Sequence, residues 1–170
     1  LEFLDDTLKT PEDIEQRLKL AVLGIIPRLF KQTPEQAVLD LRSAFSESYR
    51  SVRTALQFST DQGVPKVLLV TSASPSEGKS TTALALARNF AQMGKRVLLI
   101  EADLRNPSLH KSLGIRAEIG LSNLLAGAHS ITEAVQDTEQ TALKVILAGP
   151  LPPNPAELLS GSKLVSLLTI

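Results

Sequence analysis

The residues with the clearest chemical potential form the stretch SASPSEGKSTT, Ser72 to Thr82. Ala73, four further residues and then Gly78, Lys79 and Ser80 match the spacing of a phosphate-binding loop, with alanine in the first glycine place. In such a loop backbone N–H groups at a helix start converge on phosphate oxygens, the lysine reaches them, and the serine hydroxyl joins a Mg²⁺ shell. The alternative is a Ser/Pro turn that exposes a solvated lysine.

Two acids follow the next apolar run, in VLLIEADLRNP. Glu101 and Asp103 lie two residues apart at the end of a predicted parallel strand, where ligands gather in open α/β sheets. Because both carboxylates could face the phosphate loop, both are candidates to bind Mg²⁺ or to accept a proton from an attacking hydroxyl. Alternatively, they only cap the following turn.

The elements around these residues predict an α/β fold. Apolar VLLV at 67–70 precedes the loop, a helix runs from Lys79 to about Met93, and apolar VLLI follows at 97–100. Two strands that are apolar on both faces, joined by a helix, predict a parallel βαβ unit. KVILAG at 144–149 is a further strand candidate, so we expect a P-loop type parallel sheet flanked by helices.

The N-terminal part shows two proline-led helix starts. Thr10 and Pro11 begin a helix that should reach about Leu20, and AVLGIIP then reads as a short strand closed by Pro27. Thr33 begins a long helix whose apolar residues recur at steps of three and four and should face the core. These residues are Val38, Leu41, Phe45, Tyr49, Val52 and Leu56.

The C-terminal part predicts three further helices. LSNLLAGAHSITEAV indicates two short helices split near Gly127, and Asn154 with Pro155 begins another. At 170 residues we expect one domain, residues 33–170, with a segment at 1–32 packed on it. Because the chain starts on Leu1 and stops in an apolar amphipathic stretch, we expect a fragment that lacks at least one central strand.

Composition narrows the classes of function. Eighteen basic residues balance eighteen acidic ones, so there is no global field for nucleic acid or anionic lipid, and no nucleic-acid partner is expected. The chain has no cysteine and two scattered histidines, which argues against cysteine chemistry and a histidine metal site. Its apolar runs are far shorter than the ~20 residues that cross a bilayer.

Four stretches follow one another along the chain: ESYRSVRT, TSASPSEGKST, LLIEADLRNP and GPLPPNPAELL. In this order they resemble the bacterial tyrosine kinase family, and the resemblance covers almost the whole chain. These proteins are cytoplasmic ATPase domains of polysaccharide co-polymerases that govern capsule and exopolysaccharide export. The resemblance implies a deviant P-loop fold, ATP and Mg²⁺ as cofactors, and a location at the inner face of the bacterial membrane. The first fifteen residues, LEFLDDTLKTPEDIE, are also similar to the segment that follows a membrane helix in fused members of the family.

The resemblance implies roles for particular residues and partners. The residues that would bind ATP are Ser76, Glu77, Gly78, Lys79, Ser80 and Thr81. The metal would be bound by Ser80, Asp103 and Glu101, and the catalytic residues would be Lys79, Asp103 and Glu101. Subunits in a ring would phosphorylate one another on a tyrosine-rich tail. Glu47, Arg50 and Arg53 match the E-x-x-R-x-x-R motif that supports this assembly, although such charges on a helix are ordinarily just solvated.

Three departures separate this chain from the family pattern. Glu101 stands where aspartate is usual, KVILAGP carries no Walker B acid, and there is no tyrosine tail, since Tyr49 is the only tyrosine. We therefore expect this fragment to be inactive by itself, and two alternatives stay open, a non-enzymatic nucleotide-binding module of the export system and a partitioning-type ATPase. A partitioning-type ATPase would have lysine at Ser74, and a nitrogenase-type ATPase would need cysteines.

Overall fold

The computed structural model describes residues 8, 10–30, 32–40 and 42–169. The predictions for residues 1–7 and for Leu41 lie outside these ranges. Within them the helices are α1 (Pro11–Leu18), α2 (Pro34–Leu39), α3 (Ala44–Gln57), α4 (Lys79–Gln92), α5 (Leu109–Leu113), α6 (Leu121–Ala126), α7 (Ile131–Ala134), α8 (Pro155–Ser160) and α9 (Ser162–Leu168). The strands are β1 (Val97–Ile100), β2 (Gln136–Asp137) and β3 (Leu143–Ile146). No helix in these ranges has the length and apolar character that crossing a membrane requires.

The sheet is small and mixed, with the order β1-β3-β2. β3 pairs in parallel with β1, Val97 opposite Leu143, and antiparallel with β2, Gln136 opposite Val145. The predicted α/β class is confirmed, and so are the strand at 97–100 and the one that begins near residue 144. The short antiparallel strand β2 was not foreseen, because a two-residue strand leaves no periodic pattern in the sequence.

Helix starts were predicted well because their signals are local. Thr10 and Thr33 both form capping boxes with a proline at the first helical position, and Asn154 caps α8. Helix α4 ends at Gln92 and is followed by the C-cap residue Met93 and by Gly94, whose φ of 78° is left-handed. The predicted pair of short helices near Gly127 is present as α6 and α7.

The single long helix predicted after Thr33 is wrong, because the chain leaves the helical path between α2 and α3. The Asp40 carboxylate accepts the Arg42 N–H at 3.0 Å. The Ser43 hydroxyl donates to the Asp40 carbonyl at 2.7 Å and accepts the Ser46 N–H at 3.1 Å, which starts a new helix. Short polar side chains thus compete with the helical hydrogen bonds. The apolar face is confirmed even so, since Val38, Phe45 and Tyr49 are buried.

Two predicted strands are absent, AVLGIIP and VLLV. Residues 19–29 and 67–70 pair with no other strand among the described residues. Leu69 is 86% exposed and Ile25 is 68% exposed, so neither run is enclosed as the apolar pattern predicted. A strand needs a neighbour to satisfy its backbone groups, and sequence periodicity does not report whether one exists. The parallel pair is therefore β1 with β3 rather than VLLV with β1.

Helix α4 and strand β3 organise three apolar clusters. Leu84, Ala87 and Ala91 of α4 face the sheet, while Ala85, Leu86 and Phe90 face α2 and α3. Alternate residues of β3 and its extension enter two clusters. Leu143, Val145 and Leu147 pack towards α4, and Ile146 and Ala148 pack towards α6 and α7. Helices thus cover both faces of the sheet around Val145 and Ile146, whereas Leu98 of β1 is 40% exposed and Lys144 is exposed.

Substituting Gly120 tests the tight packing at the end of β3. A Cβ at Gly120 would overlap the Leu147 carbonyl oxygen and the Gly149 nitrogen, both backbone atoms that cannot move aside. We expect Gly120→Ala to lower the free energy of unfolding by about 1–3 kcal/mol or more in urea denaturation. At Gly161 the nearest atom, the Leu158 oxygen, is 3.5 Å away, so Gly161→Ala should change it by only about 0.5 kcal/mol. Equal effects of the two substitutions would contradict this packing.

Candidate nucleotide-binding site

The loop at 71–78 leads directly into the N-terminus of α4. Gly78 has a φ of 88° with nothing within 4 Å of an added Cβ, so its glycine is needed for conformation rather than space. Ser76 has a φ of 63°, which is unusual for a residue with a side chain and typical of ligand-clamping loops. No side chain caps α4, and no acid lies in its first turn. The positive end of α4 is therefore available to an anion.

Glu77 is turned back onto its own loop. Its carboxylate accepts the Ser74 N–H at 3.1 Å, while the Ser72 hydroxyl donates to the Ser74 carbonyl at 2.8 Å. These two bonds hold the exposed loop closed at its base. The sequence offered no physical reason for an acid inside a phosphate loop, and this contact supplies one.

Lys79 and Asp103 come together as the sequence predicted they could. The Lys79 Nζ lies 3.8 Å from the Asp103 Oδ2, and the two side chains are about one third exposed. The other carboxylate oxygen of Asp103 accepts the N–H groups of Asn106 at 2.9 Å and Arg105 at 3.3 Å. Asp103 thus caps the turn after β1 and also presents one oxygen to Lys79, while its metal and catalytic roles stay predictions.

Glu101 is placed differently from Asp103. It is only 4% exposed, and its carboxylate accepts the backbone N–H groups of Ser108 at 2.6 Å, Leu109 at 2.7 Å and Ala148 at 3.2 Å. These bonds join the end of β1 to the start of α5 and to the end of β3. The metal and catalytic roles of Glu101 stay predictions, and the contacts of its carboxylate are all with backbone.

The hydroxyl groups after Lys79 have distinct neighbours. The Ser108 hydroxyl donates to the Ser80 oxygen at 2.8 Å, and the Thr82 hydroxyl lies 3.0 Å from that of Tyr49. Thr81, between them in the first turn of α4, is half-buried. Ser108 was missed from the sequence, because a lone serine in a loop belongs to no spacing pattern.

The charged triplet lies on α3. Glu47 is exposed, and its carboxylate accepts the Arg50 Nε–H at 2.9 Å. The Arg53 Nη2 lies 3.5 Å from the Thr54 hydroxyl, and its buried Nε has no hydrogen-bond partner among the described residues. Tyr49, 2% exposed on the same helix, connects α3 to the P-loop helix through Thr82. The triplet is therefore carried by a helix packed directly on α4.

Known nucleotide-binding and kinase domains are similar to the part of the chain that contains this loop. The sequence profile of the CobQ/CobB/MinD/ParA nucleotide-binding domain matches residues 68–152. The chain is 34% identical to the BceF tyrosine kinase domain, with a TM-score of 0.85 over 95% of this chain and 71% of that one. The chain belongs to the bacterial tyrosine kinase family.

Two further relatives place the chain within this family. The kinase domain of Escherichia coli tyrosine kinase ETK is 31% identical with a TM-score of 0.83, over 94% of this chain and 67% of that one. The tyrosine-protein kinase YwqD of Bacillus subtilis is 47% identical over 73% of this chain. The chain spans about half of the length of YwqD, 52%.

The contact between α3 and α4 can be tested through Tyr49. Burial raises its pKa above the ordinary 10.0, and the hydrogen bond with Thr82 offsets this only in part. The stability that comes from neutral Tyr49 is fully present below the unfolded pKa near 10 and is lost as the pH rises through the folded pKa. Tyrosinate absorbance in a pH titration should therefore show a higher midpoint in the folded protein than in urea.

The single tyrosine makes this measurement unambiguous. Tyr49→Phe should abolish the absorbance change, which confirms its source. A folded midpoint at or below the midpoint in urea would contradict the buried position of Tyr49.

Proposed function

We propose that this chain binds ATP with Mg²⁺ and acts as the catalytic domain of a protein-tyrosine kinase. The observation that carries this proposal is the position of Lys79 and Asp103, 3.8 Å apart beside the uncapped N-terminus of α4. A cation for the phosphates and a carboxylate for the accepting hydroxyl are thereby brought to one place. Membership of the bacterial tyrosine kinase family supports the assignment.

The loop residues would divide the work of binding the phosphates. Backbone N–H groups from Ser76 to Thr81, together with the dipole of α4, would bind phosphate oxygens, as in other glycine-rich loops before a helix. Lys79 would neutralise charge on the β- and γ-phosphates. The conformations of Ser76 and Gly78, both with positive φ, turn the backbone of the loop in the way that such binding requires.

The residues present fit a magnesium ion that arrives with the nucleotide. No cluster of three or more His, Asp or Glu side chains able to hold a metal occurs in the described part of the chain. Mg²⁺ usually takes only one or two protein groups, with phosphates and waters completing its shell. The Ser80 hydroxyl and the Asp103 carboxylate are the groups that would hold it, and it would stabilise charge on the phosphates.

In the transfer step a tyrosine hydroxyl would attack the γ-phosphorus, breaking its bond to the β-phosphate oxygen and releasing ADP. Asp103 would orient the phenol and accept its proton, while Lys79 stabilises the transferred group. Tyr49, the only tyrosine in this sequence, is 2% exposed and bonded to Thr82, so we assign the accepting tyrosine to the tyrosine-rich tail of a neighbouring subunit rather than to Tyr49. We further propose a role in capsule or exopolysaccharide export at the cytoplasmic face of the membrane. Residues 1–32 would then connect to a membrane-embedded co-polymerase segment.

Nucleotide binding is tested by titration with a fluorescent ATP analogue in the presence of Mg²⁺. Lys79→Met should weaken affinity about 10- to 100-fold, the scale of one lost charge-assisted hydrogen bond. Lys95→Met is the matched control, since Lys95 is exposed in the turn between α4 and β1. Equal affinities for all three proteins would contradict the assignment of the loop.

Phosphoryl transfer is tested separately with radiolabelled ATP and a glutamate–tyrosine copolymer as acceptor. A form of the protein that also carries the Walker B strand and the tyrosine-rich tail of the family pattern should label the copolymer, and its Lys79→Met and Asp103→Asn variants should not. Nucleotide binding without labelling would instead favour the alternative, a non-catalytic regulatory or assembly module.

Assembly is the second part of the proposal and rests on Glu47, Arg50 and Arg53. The half-buried Arg53 has an unpartnered Nε, and buried arginines are common energetic centres of interfaces. We propose that these residues contact the nucleotide site of a neighbouring subunit in a ring. Arg53→Ala should weaken self-association at least tenfold in light scattering across a concentration series, while Arg96→Ala at an exposed position should not. Unchanged association of Arg53→Ala would exclude this surface.

A further inference from the structure

Two serine hydroxyls meet at the start of the P-loop helix. Ser108, in the connection between β1 and α5, donates to the Ser80 oxygen at 2.8 Å, and both residues are half-buried. A serine side chain chooses among three staggered rotamers, and a hydrogen bond of this length favours one of them. Ser108 therefore fixes the direction of the Ser80 hydroxyl.

Ser108 is itself held in place by a buried charge. Its N–H donates to the Glu101 Oε1 at 2.6 Å, and the N–H of Leu109 donates to the same oxygen at 2.7 Å. The other oxygen of Glu101 accepts the Ala148 N–H at 3.2 Å, which anchors the carboxylate to β3. Charge-assisted bonds to backbone are strong and leave little freedom, so Ser108 is rigidly placed.

We propose that Ser108 is a positioning residue for the cation that accompanies the nucleotide, which deepens the proposed function and rests on it. A hydroxyl oxygen has two lone pairs, and the bond from Ser108 uses one of them. The second lone pair of Ser80 stays available to a divalent cation, and the rotamer is set before the cation arrives. Fixing a ligand group in advance reduces the entropy lost on binding.

The two acids after β1 thus divide their work. Asp103 faces Lys79, while the hydrogen bonds of Glu101 connect it to the loop through Ser108 and Ser80. This explains how an acid two residues from Asp103 serves the same site without facing it. Glu101 is a poor test residue, because its loss would leave three backbone N–H groups unsatisfied and destabilise the fold. Ser108 can be changed without touching those bonds, since it holds Glu101 through its backbone.

The experiment compares Ser108→Ala, Ser108→Thr and the unsubstituted protein. Affinity for the fluorescent ATP analogue is titrated twice, once with Mg²⁺ and once with EDTA. We expect Ser108→Ala to weaken affinity about 3- to 10-fold with Mg²⁺, the scale of one neutral hydrogen bond, and to leave it unchanged in EDTA. Ser108→Thr keeps the hydroxyl and should restore the Mg²⁺-dependent affinity. Ser166→Ala, whose hydroxyl donates to the Ser162 carbonyl within α9, is the matched control.

Each outcome decides the matter. A Mg²⁺-dependent loss confined to Ser108→Ala supports the proposal. If Ser108→Ala loses the same affinity with Mg²⁺ and with EDTA, or loses none, the proposal is overturned. Nucleotide binding by the unsubstituted protein would still uphold the proposed function in that case. If the unsubstituted protein binds no nucleotide, both fall. Melting followed by circular dichroism checks that each variant folds. If Ser108→Ala does not fold, the folded variant Ser108→Thr decides. Loss of the Mg²⁺-dependent affinity in Ser108→Thr overturns the proposal.

Discussion

The buried carboxylate of Glu101 ties together the segments that carry the candidate site. It accepts N–H groups from the start of α5 and from Ala148, while the backbone N–H of Glu101 donates to the Ile146 carbonyl at 2.9 Å. A buried charge is tolerated when several hydrogen bonds satisfy it, as they do here. Beyond β3, the N–H of Leu121 donates to the Leu147 carbonyl at 2.7 Å, so α6 is fixed to the same point. The turn that presents Asp103 thus rests on a rigid base.

The electrostatics of the site explain why a divalent cation belongs to the proposed chemistry. Lys79 and Asp103 carry opposite charges about 4 Å apart and largely cancel one another. A nucleoside triphosphate bound there would be attracted by the positive end of α4 but repelled by the carboxylate of Asp103. A Mg²⁺ ion held by the Asp103 carboxylate and the Ser80 hydroxyl would offset that repulsion with its own positive charge. The charge of Asp103, which would accept the proton from tyrosine, is therefore also the reason that Mg²⁺ would be needed for nucleotide binding.

What the sequence predicted correctly depended on local signals. The capping threonines and prolines, the glycine after α4 and the apolar run of β1 each act within a few residues. The loop between Ala73 and Ser80 was recognised because its spacing, lysine and following helix agree. The strand predicted at 67–70 is absent because a strand depends on a partner strand, and local apolar runs carry no information about partners distant in sequence. The contacts of Glu101 were missed for a related reason, since alternation along a strand does not say which backbone groups lie in front of a side chain.

The packing of α4 links the two surfaces that the proposed function needs. One face of this helix packs on the sheet through Leu84 and Ala87, and another packs on α2 and α3 through Leu86 and Phe90. The N-terminus of α4 borders the phosphate loop, and the bond from Thr82 to Tyr49 fixes that turn to the helix that carries Arg53. A helix enclosed on two faces cannot adjust to a ligand by moving alone. Any shift of its first turn on nucleotide binding must therefore also move α3, where the proposed subunit contact lies.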